Sequence, residues 1–313
     1  MMLSNALCNP NRPLVSIIIN FYNGEQYLAN AIESVLAQTY QNLELLLYDN
    51  LSTDSSALIA QKFEDQRIRY ILADEHTSLG EARNRALKVA KGEFISFLDC
   101  DDWIEINKVE VSLTYFAQAE VGLVYTNGYT FYEKKNHYRK FFKKEQKEGM
   151  IFEDLLASYR IAIPSVMFRR AVIERLSSWF DTRFSMIEEF DLFIRIAQIS
   201  AVRYDHHCLC YWRAHETSMT WSKRSYFEVE MRQFLEQLLK ENPVLKNHYA
   251  VKRYQAKIAF HHFMNTWNKP FNPNRRILAD FLLVDKRLIL IYLVSFLGKN
   301  WFYKILKFLN IYV

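Results

Sequence analysis

The chain of 313 residues is half hydrophobic, carries 40 Lys and Arg against 35 Asp and Glu for a net charge of +5, and holds 23 Phe, 19 Tyr and 6 Trp but only 7 Gly and 6 Pro. That balance supplies core for one large domain, or one domain with an appended region, and excludes a long disordered or low-complexity segment. The mild positive charge does not by itself indicate nucleic acid, and Cys8, Cys100, Cys208 and Cys210 fit neither a disulfide framework nor a zinc spacing, so reduced thiols and a cytoplasmic chain are expected.

The residues up to Pro13 lack the basic start and apolar core of a signal peptide. Residues 14–20 read as a buried first strand, broken at Asn23-Gly24 and followed by a helix to about Gln38 with Tyr27, Leu28, Ala31, Ile32 and Val35 on its apolar face. Residues 43–49 form a second strand ending in an acid, and Ser52, Thr53 and Asp54 offer caps for a helix through Phe63. A short third strand covers 68–72. Gly80 opens a helix that Gly92 ends. Residues 94–98 then form a short apolar strand that runs into Asp99, Asp101 and Asp102.

Strands alternating with helices over this length predict βαβ units, a largely parallel sheet and Rossmann-like topology. No G-x-G-x-x-G occurs, so dinucleotide binding through that fingerprint is not supported, and a single-nucleotide crevice at the carboxyl ends of the strands remains. Asp99 and Asp101 sit two apart, so an extended backbone turns both side chains to one side, where they make a hard-oxygen site for Mg²⁺ or Mn²⁺ able to hold a substrate's phosphates. The alternative is a solvated acidic turn with Asp102 capping the next helix.

Beyond it, residues 105–119 look helical and 121–126 extended. Residues 134–147 carry seven Lys and Arg against one Glu, with Tyr138, Phe141 and Phe142 interleaved: a solvated ribbon face, a patch for an anionic membrane or a phosphorylated acceptor, or, more weakly, a nucleic-acid contact. Residues 188–199 form a helix with acids at its start, as the helix dipole favours, and 202–215 are mostly extended. From about Ser222 the pattern is helical, broken at Pro243 and at Pro270 to Pro273. Residues 286–313 hold five Lys and Arg and no acid among many apolar residues, which suits a membrane surface or packing on the main domain or another subunit. The apolar run 288–297 is far short of the ~20 residues a spanning helix needs.

Four segments in order resemble the nucleotide-sugar-binding half of family-2 glycosyltransferases with the GT-A fold: Val15 to Asn23 (VSIIINFYN), Tyr48 to Asp54 (YDNLSTD), Gly80 to Asn84 (GEARN) and Leu98 to Asp102 (LDCDD), the last matching the family's D-x-D. Ile187 to Arg195 (IEEFDLFIR) is similar to the family's E-D-x-D-L-W-L-R, and Tyr211 to Ser218 (YWRAHETS) to its Y-R-x-H-x-x-S. The resemblance implies a GT-A domain over residues 1–220, with a nucleotide half at about 14–102 and an acceptor and catalytic half at about 103–220. A helical region, 221–313, follows.

By that resemblance, an inverting, metal-dependent enzyme moves a sugar from a UDP-sugar to a hydroxyl of a glycan or glycolipid in bacterial surface-polysaccharide assembly, with no nucleic-acid partner. Asp49 and Tyr22 would meet the base, Arg83 the nucleotide's charged moiety, and Asp99 and Asp101 the Mn²⁺ or Mg²⁺, with His215 near the metal or diphosphate. Glu189 occupies the place of the general base, where the family has Asp, and Asp191 is its rival. Leu51 replaces a usual glycine, so a changed turn is expected there. Two alternatives stay open. A sugar-1-phosphate nucleotidyltransferase is disfavoured because residues 20–25 hold no Lys or Arg. The other is a non-catalytic sugar-nucleotide-binding scaffold, cytoplasmic or peripheral at the inner face of the plasma membrane.

Overall fold

The structure, a computed structural model, describes residues 12–215, 226–267, 275–297 and 299–308. Packing divides the chain into two units, residues 1–152 with 160–222 and residues 153–159 with 223–313.

In the first unit the four early apolar runs become β1 (Val15–Phe21), β2 (Leu43–Asp49), β3 (Ile68–Leu72) and β4 (Phe94–Phe97), hydrogen-bonded in the order β3-β2-β1-β4 and all parallel. Every residue of β1, β2 and β4 is buried, which is why they read as continuous apolar runs rather than alternating ones. The crossovers are α1 (Leu28–Leu36), α2 (Ser56–Gln61) and α3 (Leu79–Val89); α1 buries Leu28, Ala31, Ile32 and Val35, a stripe at helical spacing. Phe21 lies level with Asp49, and Asp49 with Leu72, so the strands deliver their last residues to one edge of the sheet.

The stop expected from Gly92 has a different cause. α3 ends at Val89 with Ala90 already extended, and a Cβ on Gly92 would lie 2.4 Å from the Ser16 nitrogen, so the glycine is required by close approach to β1.

Beyond β4 the sheet turns mixed. β5 (Trp103–Ile104), β6 (Val121–Tyr132), β7 (His137–Lys140), β8 (Val166–Arg169) and β9 (Ala201–Ala214) extend it in the order β4-β8-β6-β9-β5, with β7 paired on β6. β8 is antiparallel to both β4 and β6, whereas β6 and β9 run parallel. The helices here are α4 (Lys108–Tyr115), α6 (Arg170–Ile173) and α7 (Glu188–Ile199); α5 (Phe152–Ala157) lies at the switch to the second unit. The strand expected at 121–126 runs on to Tyr132, because the basic stretch after it folds back as β7 and closes a hairpin.

The second unit is helical: α8 (Tyr226–Glu241), α9 (Tyr249–Trp267), α10 (Arg276–Ala279), α11 (Lys286–Val294) and α12 (Lys299–Phe308). Pro243 opens a 3₁₀ turn between α8 and α9, and the break expected at Pro270 to Pro273 lies outside the described residues. Phe263, Met264, Leu278, Leu288, Ile291 and Phe302 share one core, so the inner face of the basic C-terminal segment packs within this unit. Its outer face exposes Ile289, Leu290, Leu293 and Phe296. No helix among the described residues is long and apolar enough to cross a membrane.

Candidate active site

The turns after β1 and β2 are laced together. The Asn23 nitrogen donates to Ser52 Oγ (3.1 Å), the Thr53 nitrogen to Asn23 Oδ1 (2.8 Å) and the Glu25 nitrogen to Asp54 Oδ2 (3.0 Å). Asp49 is buried at the end of β2, where Oδ1 accepts from the Ser52 nitrogen (2.7 Å) and Oδ2 from the Tyr70 hydroxyl (2.8 Å). Each oxygen keeps a second lone pair for another donor. Leu51, where a changed turn is expected, has a φ of 68°, the left-handed backbone that glycine adopts freely and leucine only at a cost. Tyr22 is exposed, and its ring packs on His76 at 4.2 Å, on the loop that the Asn50 side chain fastens by bonding Thr77.

Across the crevice, Asp99, Asp101 and Asp102 bring one oxygen each within 4.8 Å of one another. The loop can lie against the β1–α1 turn because Gly24 has no side chain; a Cβ there would sit 2.9 Å from Cys100 Sγ. Asp102 does not cap the next helix: α4 begins only at Lys108, and Asp102 Oδ1 instead accepts from the Arg213 nitrogen (2.8 Å). Its Oδ2 is buried with no hydrogen-bond partner among the described residues, and burial, with Asp101 and Asp99 beside it, pushes its pKa well above the ordinary range. His215 Nε2 lies 2.8 Å from Asp101 Oδ2. An orphaned buried oxygen within a three-carboxylate cluster is a hard-donor set, and it fits Mg²⁺ or Mn²⁺.

Arg83, buried on α3, ties the carboxylates to the second half. Nη2 donates to Asp99 Oδ1 (2.7 Å) and Nη1 to Glu188 Oε1 at the start of α7 (2.9 Å). Burial works against its charge, but Asp99 and Glu188 more than offset that and hold its pKa above the usual value. Burial raises the Asp99 pKa; Arg83 opposes that shift and Asp101 adds to it.

The next residue, Glu189, is half-buried, and no hydrogen bond or ion pair among the described residues engages its carboxylate. Burial pushes its pKa up to about 8, with Arg83 opposing and Glu188 and Asp99 adding. Asp191 is committed elsewhere. Its Oδ2 accepts from Arg195 Nη2 (2.6 Å) and Nε (3.0 Å), and Arg195 in turn donates to the carbonyls of Ser178 and Trp179.

The sequence profile of the family described as Glycosyl transferase family 2 matches residues 16–176. An uncharacterized glycosyltransferase of Rickettsia typhi is 30% identical over 250 residues, covering 76% of this chain and 76% of the relative. The chain belongs to glycosyl transferase family 2. The Escherichia coli UDP-Glc:alpha-D-GlcNAc-diphosphoundecaprenol beta-1,3-glucosyltransferase WfgD is 31% identical over 254 residues, 80% of this chain and 96% of that protein. Among solved structures, S. aureus TarS 1–349 in complex with UDP-GlcNAc is similar with a TM-score of 0.66 at 20% identity, covering 88% of this chain and 82% of that one. The mannosyltransferase PcManGT from Pyrobaculum calidifontis, in complex with GDP-Man and Mn²⁺, is similar with a TM-score of 0.59 at 18% identity, covering 91% and 86%. These likenesses show the fold, GT-A.

In this glycosyltransferase Asp99, Asp101, His215 and Arg83 thus form one connected group with Glu189 electrostatically beside it, with Tyr22 and Asp49 at the ends of β1 and β2 and Asp191 turned to Arg195. Sequence reasoning assigned no role to His76, to Glu188 as partner of Arg83, or to Arg213. No local pattern marks His76, and Glu188, although it stands in the IEEFDLFIR element, has nothing along the chain to pair it with Arg83. Arg213 had a signal, its place in the YWRAHETS element, and the structure stacks its guanidinium over Tyr27 (4.5 Å) and Trp103 (4.6 Å) while Nε holds the Asp101 carbonyl (2.8 Å). Ser218 of that element lies outside the described residues.

Proposed function

We propose that this family-2 glycosyltransferase moves a sugar from a UDP-sugar to an acceptor hydroxyl of a glycan or glycolipid with inversion at the anomeric carbon. The observation that carries the reading is the Arg83 bridge, which sets an uncommitted, proton-avid Glu189 beside the Asp99–Asp102 cluster. In it, Asp49 accepts from the base, against which Tyr22 lies. Asp99 and Asp101, with His215 alongside, would hold Mn²⁺ or Mg²⁺, and the bound cation would offset charge on the departing diphosphate. Glu189 takes the acceptor hydroxyl's proton as that oxygen attacks from the opposite face, and no covalent enzyme intermediate is required. Asp191, paired to Arg195, fixes the segment before α7 instead. A bacterial surface-polysaccharide role is supported by WfgD, whose own name describes a diphosphoundecaprenol-linked acceptor.

The deciding experiment is a UDP-sugar panel assayed for UDP release with Mn²⁺ and with chelator; absence of metal-dependent release across the panel rejects the reading. Peripheral membrane contact through the C-terminal helices belongs to the same proposal, supported by exposed Leu290 and Leu293 beside Lys286 and Arg287. Leu290→Gln with Leu293→Gln is expected to lower co-sedimentation with anionic vesicles, and unchanged co-sedimentation removes that contact.

A further inference from the structure

A wall of aromatic rings leads away from the carboxylates. Trp103 stacks on Tyr211 at 4.7 Å, the planes almost parallel, and lies 5.7 Å from Phe131. Phe131 stacks in turn on Tyr138 of β7 at 4.7 Å. Strand alternation explains the shared face: Tyr129 and Phe131 stand two apart on β6, and Tyr211 and Arg213 two apart on β9. Arg213 joins the wall to the site, since it packs on Trp103 and Phe131 while bonding the Asp101 carbonyl. At its far end Tyr138 is 47% exposed.

There the wall meets the basic hairpin. Arg139, Lys140, Lys143 and Lys144 are exposed, and none enters an ion pair among the described residues. Arginines elsewhere in this unit, such as Arg67, Arg69, Arg85 and Arg195, sit on carboxylates. Lysines on an outer strand also discourage sheet-to-sheet pairing, which accounts for charge on β7. It does not account for the chain of ring contacts that runs from Tyr138 through Phe131 to Arg213 and the Asp101 carbonyl.

Resting on the donor-and-acceptor reading above, we propose that this face is the acceptor site. An acceptor sugar packs on Tyr138, the exposed end of the wall, and a diphosphate joining that sugar to a lipid is held by Lys140, which shares the Tyr138 face of β7, with Lys143 and Lys144. An exposed tyrosine face suits the apolar side of a sugar ring, and exposed cations beside it give charge-assisted hydrogen bonds to phosphate oxygens.

Binding of two probes tests it, with the donor side first filled by UDP and Mn²⁺: decyl GlcNAc-diphosphate and the neutral decyl GlcNAc glycoside. The wild-type chain is expected to prefer the diphosphate probe by at least ~10-fold, as several charge-assisted contacts imply, with the preference shrinking at high salt. The triple variant Lys140→Glu, Lys143→Glu, Lys144→Glu is expected to lose that preference, and Tyr138→Ala to weaken both probes alike. A triple variant that keeps the wild-type preference overturns the proposal. So does one that keeps it while losing affinity for acceptor-free phosphatidylglycerol vesicles, since the hairpin would then be a membrane contact. Failure of UDP to bind with Mn²⁺ rejects the donor reading separately; the probe ratio, measured without nucleotide, still decides the hairpin.

Discussion

The two halves of the first unit build their shares of the crevice by different means. In the parallel half, topology does the positioning: β1, β2 and β3 end level, and Tyr22, Asp49 and His76 arrive at one edge because each follows its own strand. In the mixed half, the residues are held by contacts that span the chain. Arg83 reaches Glu188 over 105 positions, Asp102 the Arg213 nitrogen over 111, and Asp101 His215 over 114. A βαβ ladder can therefore present ligand-facing groups whatever their identity. The second half presents its groups only if particular charges find one another.

That contrast sets the size of the expected effects. The largest belongs to the carboxylates where the halves meet. On the proposed reading, Asp101→Asn removes a carboxylate oxygen of the candidate metal site and the anion facing His215, and transfer is expected to vanish together with Mn²⁺-dependent UDP affinity. Calorimetry showing unaltered affinity would detach Asp101 from the metal.

Next comes the proposed base. Glu189→Gln should fold, bind UDP and lose transfer by at least ~10², while Asp191→Asn costs less because that carboxylate already serves Arg195. The reverse ranking would move the base two residues on. The pH dependence sharpens this. Only the deprotonated Glu189 can accept a proton, so wild-type turnover should climb as pH rises through about 8. Stability should move the other way: between the usual 4.5 and about 8 the folded chain retains a proton that the unfolded chain gives up, so stability falls with rising pH across that window. Both trends should flatten in Glu189→Gln, and a rate profile that keeps its rising limb there assigns the limb to another group.

Arg83→Ala attacks the link between the halves. It removes the buried cation that bridges Asp99 and Glu188, and a loss on the order of 3 kcal/mol is expected in urea unfolding; Arg83→Lys should recover only part, since an ammonium lacks the fork that spans two carboxylates. A loss within experimental noise would mean that packing alone joins the halves.

The smallest effect is expected inside the parallel half. Leu51→Gly relieves a left-handed leucine but frees the unfolded chain, so stability should change by less than ~1 kcal/mol. Destabilisation well beyond that would show that the half-exposed leucine side chain itself holds the turn.

Which parts of this arrangement could be read in advance follows from the same physics. β2, β3 and α7 run over the residues their patterns predict: β2 is buried and mostly apolar, β3 is a short β-forming run that is half-buried, and a helix opening with Glu188 and Glu189 carries its dipole partners with it. Asp99 and Asp101 were legible as strand-end acids for the same reason: the apolar run before them can only be core. The edges of other elements shifted where a tertiary contact outweighed the local signal, as with Gly92, which answers to Ser16, and β6, which the hairpin prolongs to Tyr132.

Sequence by itself determined the parallel half, its crossovers and the acids at its rim, since hydrophobic periodicity and turn chemistry act over a few residues. Only the tertiary structure decided that Glu188 belongs to Arg83, that Asp191 is spent on Arg195 while Glu189 stays uncommitted, and that Arg213 and His215 return to the acidic loop. An acid's spacing on a helix tells which way it points. Which cation reaches it depends on a chain that has already closed, because charge pairing selects partners by distance in space and leaves no period along the sequence.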